Sequence, residues 1–192
     1  MTKTRLGIIF GTLFFIIGAS LFLFILKSQA VNSAILTPPK NLSNFSYVVP
    51  SNVKEITGQP TELIIPSLQM KLSIIPGYYD KQSQTWTLTT DKVEYATITP
   101  EPNNLEGNTF LYGHDRTAIF ASLHTIQPKA EAIVMTNNNH SFYYQLSSIR
   151  TTTPLDDSVF SYRGKPILTL QTCTGVFYQY RQFFTFNLEK VV

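Results

Sequence analysis

No charged residue occurs between Leu6 and Leu26, and this apolar run limits how the chain can fold more than any other feature. As a helix, its roughly 21 residues would extend about 30 Å, the thickness of a bilayer's hydrocarbon core. Lys3, Arg5 and the terminal amine precede it, while only Lys27 follows closely. The positive-inside bias therefore places residues 1–5 in the cytoplasm and the rest of the chain outside the cell. A cleaved signal peptide is the competing reading. The run is longer than a usual signal core, however, and Lys27 stands where a small-residue cleavage site would be needed. The expectation is a single membrane helix over residues 6–26, in contact with lipid.

From Ser28 to about Thr57 the sequence is rich in Ser, Asn and Pro, with Pro38-Pro39 and Pro50, and it sustains no period. Residues 27–57 therefore read as an extracellular linker. The remaining residues, 58–192, suffice for one globular domain with a sizeable core and not for two. Apolar runs recur there between turn signals, at Leu63–Ile65, Leu72–Ile75, Thr109–Tyr112, Ile133–Met135, Phe142–Ile149, Ile167–Leu170 and Phe183–Leu188. This spacing, together with many Phe, Tyr, Val, Ile and Thr residues, predicts a mainly β domain, an antiparallel barrel or sandwich. Asn137-Asn138-Asn139 predicts a hairpin turn, because Asn tolerates positive φ. One short helix is expected at Ala118–Leu123, with Phe120 and Leu123 toward the core. The net charge of +3 is slight and the basic residues are scattered, which argues against nucleic acid or an acidic polymer as partner.

Cys173 is the only cysteine, so an intramolecular disulfide is impossible. Taken alone, such a thiol reads as a small buried hydrophobe. Its strand changes that reading. Alternation puts Leu168 and Leu170 on one face and Thr169, Gln171 and Cys173 on the other, polar one. In the following run Phe184, Phe186 and Leu188 form the apolar set. Arg181 and Thr185 lie opposite, with Phe183 the apolar exception. If the two strands pair, Cys173 and Arg181 become cross-strand neighbours. A guanidinium beside a sulfur favours the thiolate and can donate to an oxyanion.

A cysteine nucleophile also needs a proton donor and acceptor, normally histidine. His140 follows the asparagine turn and reads as a solvated turn residue, while His124 closes the expected short helix as a C-terminal cap. His114, in Tyr112-Gly113-His114-Asp115-Arg116, emerges at a strand end beside a glycine that permits close approach. It is the candidate general acid/base. Arg116 rivals Arg181 for the oxyanion role, since it would share a face with His114 if the strand continued. Thr172 is a candidate for the substrate groove, although its alternation with Leu170 equally allows a packing role. Trp86 and Tyr78, Tyr79, Tyr143 and Tyr144 read as core or surface aromatics. No ligand spacing points to zinc, and a calcium site lacks support from the sequence, so no cofactor is expected.

The segment Thr169-Leu170-Gln171-Thr172-Cys173 resembles the TLxTC signature of the sortase family, with Arg181 at the spacing of the family's arginine. Gly107-Asn108-Thr109-Phe110-Leu111-Tyr112-Gly113-His114, followed by Phe120 and Leu123, is similar to the family's segment around its histidine. Leu63-Ile64-Ile65-Pro66-Ser67-Leu68 resembles its Ile-Pro start of the barrel. The likeness runs from about Thr61 to Lys190. Ala130-Glu131 departs from the Gly-Asp often found there, which alters a turn rather than the chemistry.

The resemblance implies a closed antiparallel or mixed β-barrel with one or two short helices, and a membrane-anchored cysteine transpeptidase. In that scheme Cys173 attacks a Thr-Gly-like bond of an LPxTG-like sorting signal and forms a thioacyl enzyme. His114 protonates the departing amine, and Arg181 steadies substrate and oxyanion. An amine acceptor, such as a peptidoglycan precursor or a pilin lysine, then resolves the thioester. The chain stops soon after its last strand, so a C-terminal membrane helix typical of pilin-polymerising members is not expected. Two other readings stand beside this one. The first is a catalytically inactive, membrane-anchored β-barrel that binds a partner. The second is another cysteine peptidase or transpeptidase of the cell wall. For the latter, the Ser-His-Gly-Cys type motif of L,D-transpeptidases is absent, and a papain-like nucleophile would sit on a helix.

Overall fold

A computed structural model of the chain describes residues 47–49, 51–80, 82–83 and 85–192. The helix expected over residues 6–26 lies outside the described residues. Among the described residues no helix is long and apolar enough to cross a membrane.

The strands are β1 (Pro60–Ile65), β2 (Met70–Gly77), β3 (Tyr79–Asp80), β4 (Thr85–Trp86), β5 (Val93–Ala96), β6 (Asn108–Tyr112), β7 (Glu131–Thr136), β8 (Ser141–Thr152), β9 (Ile167–Thr174) and β10 (Tyr180–Val191). Eight of them close into a barrel in the order β1-β2-β5-β6-β9-β10-β8-β7, while β3 and β4 form a separate two-stranded sheet. Two of the barrel's ladders, β2 with β5 and β6 with β9, are parallel. The barrel is thus closed and mixed. A parallel pair needs a crossover connection; residues 78–92 make it between β2 and β5, and residues 113–166 between β6 and β9.

Alternation explains the interior. Leu63, Ile65, Leu111, Val134, Phe142, Leu168, Leu170, Phe184 and Phe186 are all buried in one cluster inside the barrel. A fully buried aliphatic or aromatic side chain of this kind contributes roughly 1.5–3 kcal/mol by leaving water. A second cluster of Ala96, Phe110, Tyr112, Val159 and Phe183 covers the outside of β5, β6 and β10. Phe183, the apolar exception on the polar face of its strand, belongs to it. Its ring meets Phe110 edge-on at 6.0 Å and carries the Arg150 guanidinium 5.0 Å above its centre.

Strand β5 was not legible as an apolar run because Glu94 interrupts it. All four of its residues are nevertheless buried. The Glu94 carboxyl accepts from the Thr89 backbone N–H, its second oxygen has no partner among the described residues, and burial pushes its pKa up. The expected short helix is also displaced. It is a 3-10 turn at Ala121–Thr125, built on i to i+3 bonds such as Leu123 N–H to Phe120 O at 3.0 Å. β-branched Thr117 and Ile119 disfavour an α-helical start before it. Phe120 and Leu123 are fully buried, as expected. The asparagine turn joins β7 to β8, with Asn139 at φ 65°.

The chain ahead of the barrel is bound to it from Lys54 onward. Asn104 donates to Lys54 O at 3.0 Å and accepts from Ile56 N–H at 2.8 Å, and Thr57 bridges to Asn103.

Candidate active site

The register of β9 against β10 sets Cys173 directly opposite Arg181. Cross-strand partners in an antiparallel ladder hold their Cβ atoms about 4.5–5.5 Å apart. Both side chains line one cleft of about 460 Å³, together with Gly113, Gln171, Phe110 and Tyr112 of the neighbouring strands. Cys173 is a free, half-buried thiol. The Arg181 guanidinium donates from Nη1 to the Tyr178 and Tyr180 carbonyls, both at 3.1 Å, and its other donors have no partner among the described residues.

The loop carrying His114 lies on the other side of β9; His114 is half-buried, and Gly113 rather than His114 lines the cleft. Strand β6 lies parallel to β9, with Tyr112 opposite Gln171, and Gly113 N–H continues the ladder to Gln171 O at 3.1 Å. His114 is therefore the next residue after a cleft-lining glycine. Gly113 has no room for a side chain, because an added Cβ would stand 2.9 Å from Ile119 Cγ2 and 3.2 Å from the Phe120 ring. The His114 carbonyl accepts from Arg116 N–H at 3.0 Å and Phe120 N–H at 3.3 Å, which folds the loop back on itself. Burial first, and the Arg116 charge second, lower the His114 pKa from its usual 6.5.

The structure gives the other sequence candidates different places. Thr172 is fully buried and does not line the cleft; its hydroxyl donates to Gly113 O at 3.1 Å. Of the two roles open to it, this is the packing one. Arg116 is exposed and absent from the cleft lining. His140 stays in the β7–β8 turn, its N–H donating to Thr136 Oγ1 at 3.2 Å. His124 is no simple cap, since both ring nitrogens have side-chain partners, Gln182 and Asp115. Among the described residues no three His, Cys, Asp or Glu side chains gather as a metal site.

The walls of the cleft were missed. Trp86 lines it from the β3–β4 hairpin, along with Leu88, and Phe160 lines it from the β8–β9 loop. The indole stacks on Phe160 at 5.7 Å and meets Tyr112 edge-on at 5.3 Å. Asp156 ties the β8–β9 loop down, accepting from Arg150, Thr152 Oγ1, Ser158 N–H and Ser158 Oγ. Burial works to raise this carboxyl, yet these hydrogen bonds outweigh it and hold the pKa well below the usual carboxylate range. No local sequence signal joins residues so far apart in the chain. Only the proline and aspartates of Thr153-Pro154-Leu155-Asp156-Asp157 mark the loop as a turn.

Taken together, an aromatic-walled groove holds a free thiol with a guanidinium beside it, and the loop that carries His114 begins at the glycine on its lining. Such a set suits acyl transfer through a thioester. Residues 63–187 match the family model described as Sortase domain. Comparison with curated proteins gave no match. Among solved structures, sortase E1 from Streptomyces coelicolor, determined with a tripeptide in its active site, is 24% identical with a TM-score of 0.54, over 70% of this chain and 90% of that one. Sortase C-1 from Actinomyces oris is 22% identical with a TM-score of 0.55, over 69% and 76%. Sortase C1 from Streptococcus suis is 17% identical with a TM-score of 0.55, over 71% and 75%. These structures share the fold. The family-model match spans well over half of the chain and takes in His114, Cys173 and Arg181: the chain belongs to the sortase family.

Proposed function

We propose that the protein is a sortase-type cysteine transpeptidase that cleaves an LPxTG-like sorting signal and transfers the cleaved protein to an amine of the cell envelope. The observation that carries this reading is the direct pairing of Cys173 with Arg181 in an open cleft also lined by Gly113, the residue before His114. The Cys173 sulfur attacks the scissile carbonyl carbon, and Arg181 donates to the resulting oxyanion. As the C–N bond breaks, His114 gives its proton to the leaving amine. An incoming amine then attacks the thioester carbonyl, loses its proton to His114 and expels the Cys173 thiolate, so that a new amide forms and the enzyme is restored.

The groove walled by Trp86, Leu88, Phe110, Tyr112 and Phe160 supports recognition of an apolar peptide segment ahead of the scissile bond. The apolar run over residues 6–26 supports a location at the outer face of the cell membrane. A lone surface thiol in an inactive binding barrel would need none of this arrangement.

The test is mass spectrometry of the full chain after incubation with a library of LPxTG-like peptides. A thioacyl adduct on Cys173, lost in Cys173→Ala and removed by added amines, is the expected result. Absence of any adduct, with alkylation of Cys173 indifferent to His114→Ala and Arg181→Ala, would leave the inactive barrel as the better reading.

A further inference from the structure

The imidazole of His124 joins two residues that are each one position from a proposed catalytic group. Its Nε2 lies 3.1 Å from Asp115 Oδ1, and Asp115 follows His114. Its Nδ1 lies 2.8 Å from Gln182 Oε1, and Gln182 follows Arg181. The ring donates from both nitrogens when protonated; with the Gln182 amide turned to donate, the neutral ring completes the same bridge. The His124 side chain is one third exposed and that of Asp115 18% exposed, so neither contact is explained by core packing.

The bridge spans parts of the chain that no backbone ladder connects. Asp115 belongs to the loop after β6, His124 to the 3-10 turn Ala121–Thr125, and Gln182 to β10, where its cross-strand partners are Thr172 and Thr151. The residue before His114 is already tied to β9 by the bond from Thr172 to Gly113 O. The residue after it is tied to β10 through His124. His114 is thus held on both sides, each tie ending in the Thr172–Gln182 row that adjoins the Cys173–Arg181 row.

We propose that Asp115, His124 and Gln182 are positioning residues that fix the His114 loop against the strand carrying Arg181. The proposal rests on the transpeptidase reading above. Positioning matters because a displacement of about 1 Å can cost roughly a hundredfold in rate.

The experiment measures alkylation of Cys173 in the full chain by iodoacetamide. It compares wild type, His124→Phe, Gln182→Ala and their double variant, each with and without His114→Ala, with unfolding temperatures followed alongside. With His114 present, each single variant slows alkylation by about tenfold. The double variant is no slower than either single one, because both break one bridge. With His114 replaced, neither has an effect. If His124→Phe unfolds below the assay temperature, Asp115→Asn takes its place with the same expectation. Alkylation that depends on His114 but not on His124, Gln182 or Asp115 overturns the bridge alone, as does equal slowing with and without His114. Alkylation indifferent to His114→Ala overturns the catalytic reading and the bridge with it.

Discussion

The hydroxyl of Thr172 donates to the carbonyl of Gly113 at 3.1 Å, so one buried hydrogen bond joins the residue before Cys173 to the residue before His114. Thr172→Val keeps the side chain's shape and removes the donor. The variant should lose about 1–3 kcal/mol of stability, the cost of leaving a buried carbonyl unpaired, and its turnover should fall with KM little changed. Urea unfolding and steady-state kinetics check the two parts. A stable variant with wild-type turnover would sink the idea.

In the proposed mechanism His114 sets the acid side of the pH dependence. Burial and the Arg116 charge both disfavour its protonated form, so the acidic limb of kcat/KM should lie below the ordinary 6.5. Arg116→Ala removes the second of these causes and should move the limb upward, toward that value. Stability follows the same sign. Because folding lowers this base's affinity for protons, the domain loses stability as pH falls through about 6.5. A limb that stays put in Arg116→Ala would refute the electrostatic part.

Trp86 presents its indole to the cleft and packs on Phe160, Tyr112 and Tyr79. Trp86→Ala should raise KM for a sorting-signal peptide by about tenfold, or about 1.4 kcal/mol, with a smaller change in kcat. Trp86→Phe should recover most of the loss. Equal loss in both variants, or a loss confined to kcat, would place the indole outside the peptide groove.

Asp156 anchors the β8–β9 loop as an ionised carboxylate whose pKa is lowered by its hydrogen bonds. Its contribution to stability is therefore complete above the ordinary carboxylate pKa of 3.8 and is lost as pH falls below it. Thermal unfolding of wild type and Asp156→Asn should differ most near neutral pH and converge in acid. A gap that is constant with pH would show that the charge is not what holds the loop.

Alternation along β9 and β10 was enough to bring Cys173 and Arg181 together, because a two-residue period fixes which face each side chain takes once the strands pair. The same rule set Thr172 beside Leu170 and so allowed for its burial. Glu94 hid β5, since a buried carboxyl breaks the apolar pattern by which such a strand is recognised. Trp86, Phe160 and Asp156 reach the cleft on connections whose paths depend on tertiary packing, and nothing local to them marks that destination. His124 had the same handicap, since its two partners lie 9 and 58 residues away in the chain.

The parallel ladder between β6 and β9 joins residues 108–112 to residues 167–171, and no hairpin can make such a pairing. Ordering the intervening chain carries an entropic cost that must be met before this contact forms, which makes it a slow, late event in folding. Catalytic competence and ring closure should then arrive together. During refolding, recovery of His114-dependent thiol reactivity is expected to share its rate constant with the final rise in near-ultraviolet circular dichroism. The newly made chain would carry a sulfur with no special reactivity until its architecture is complete.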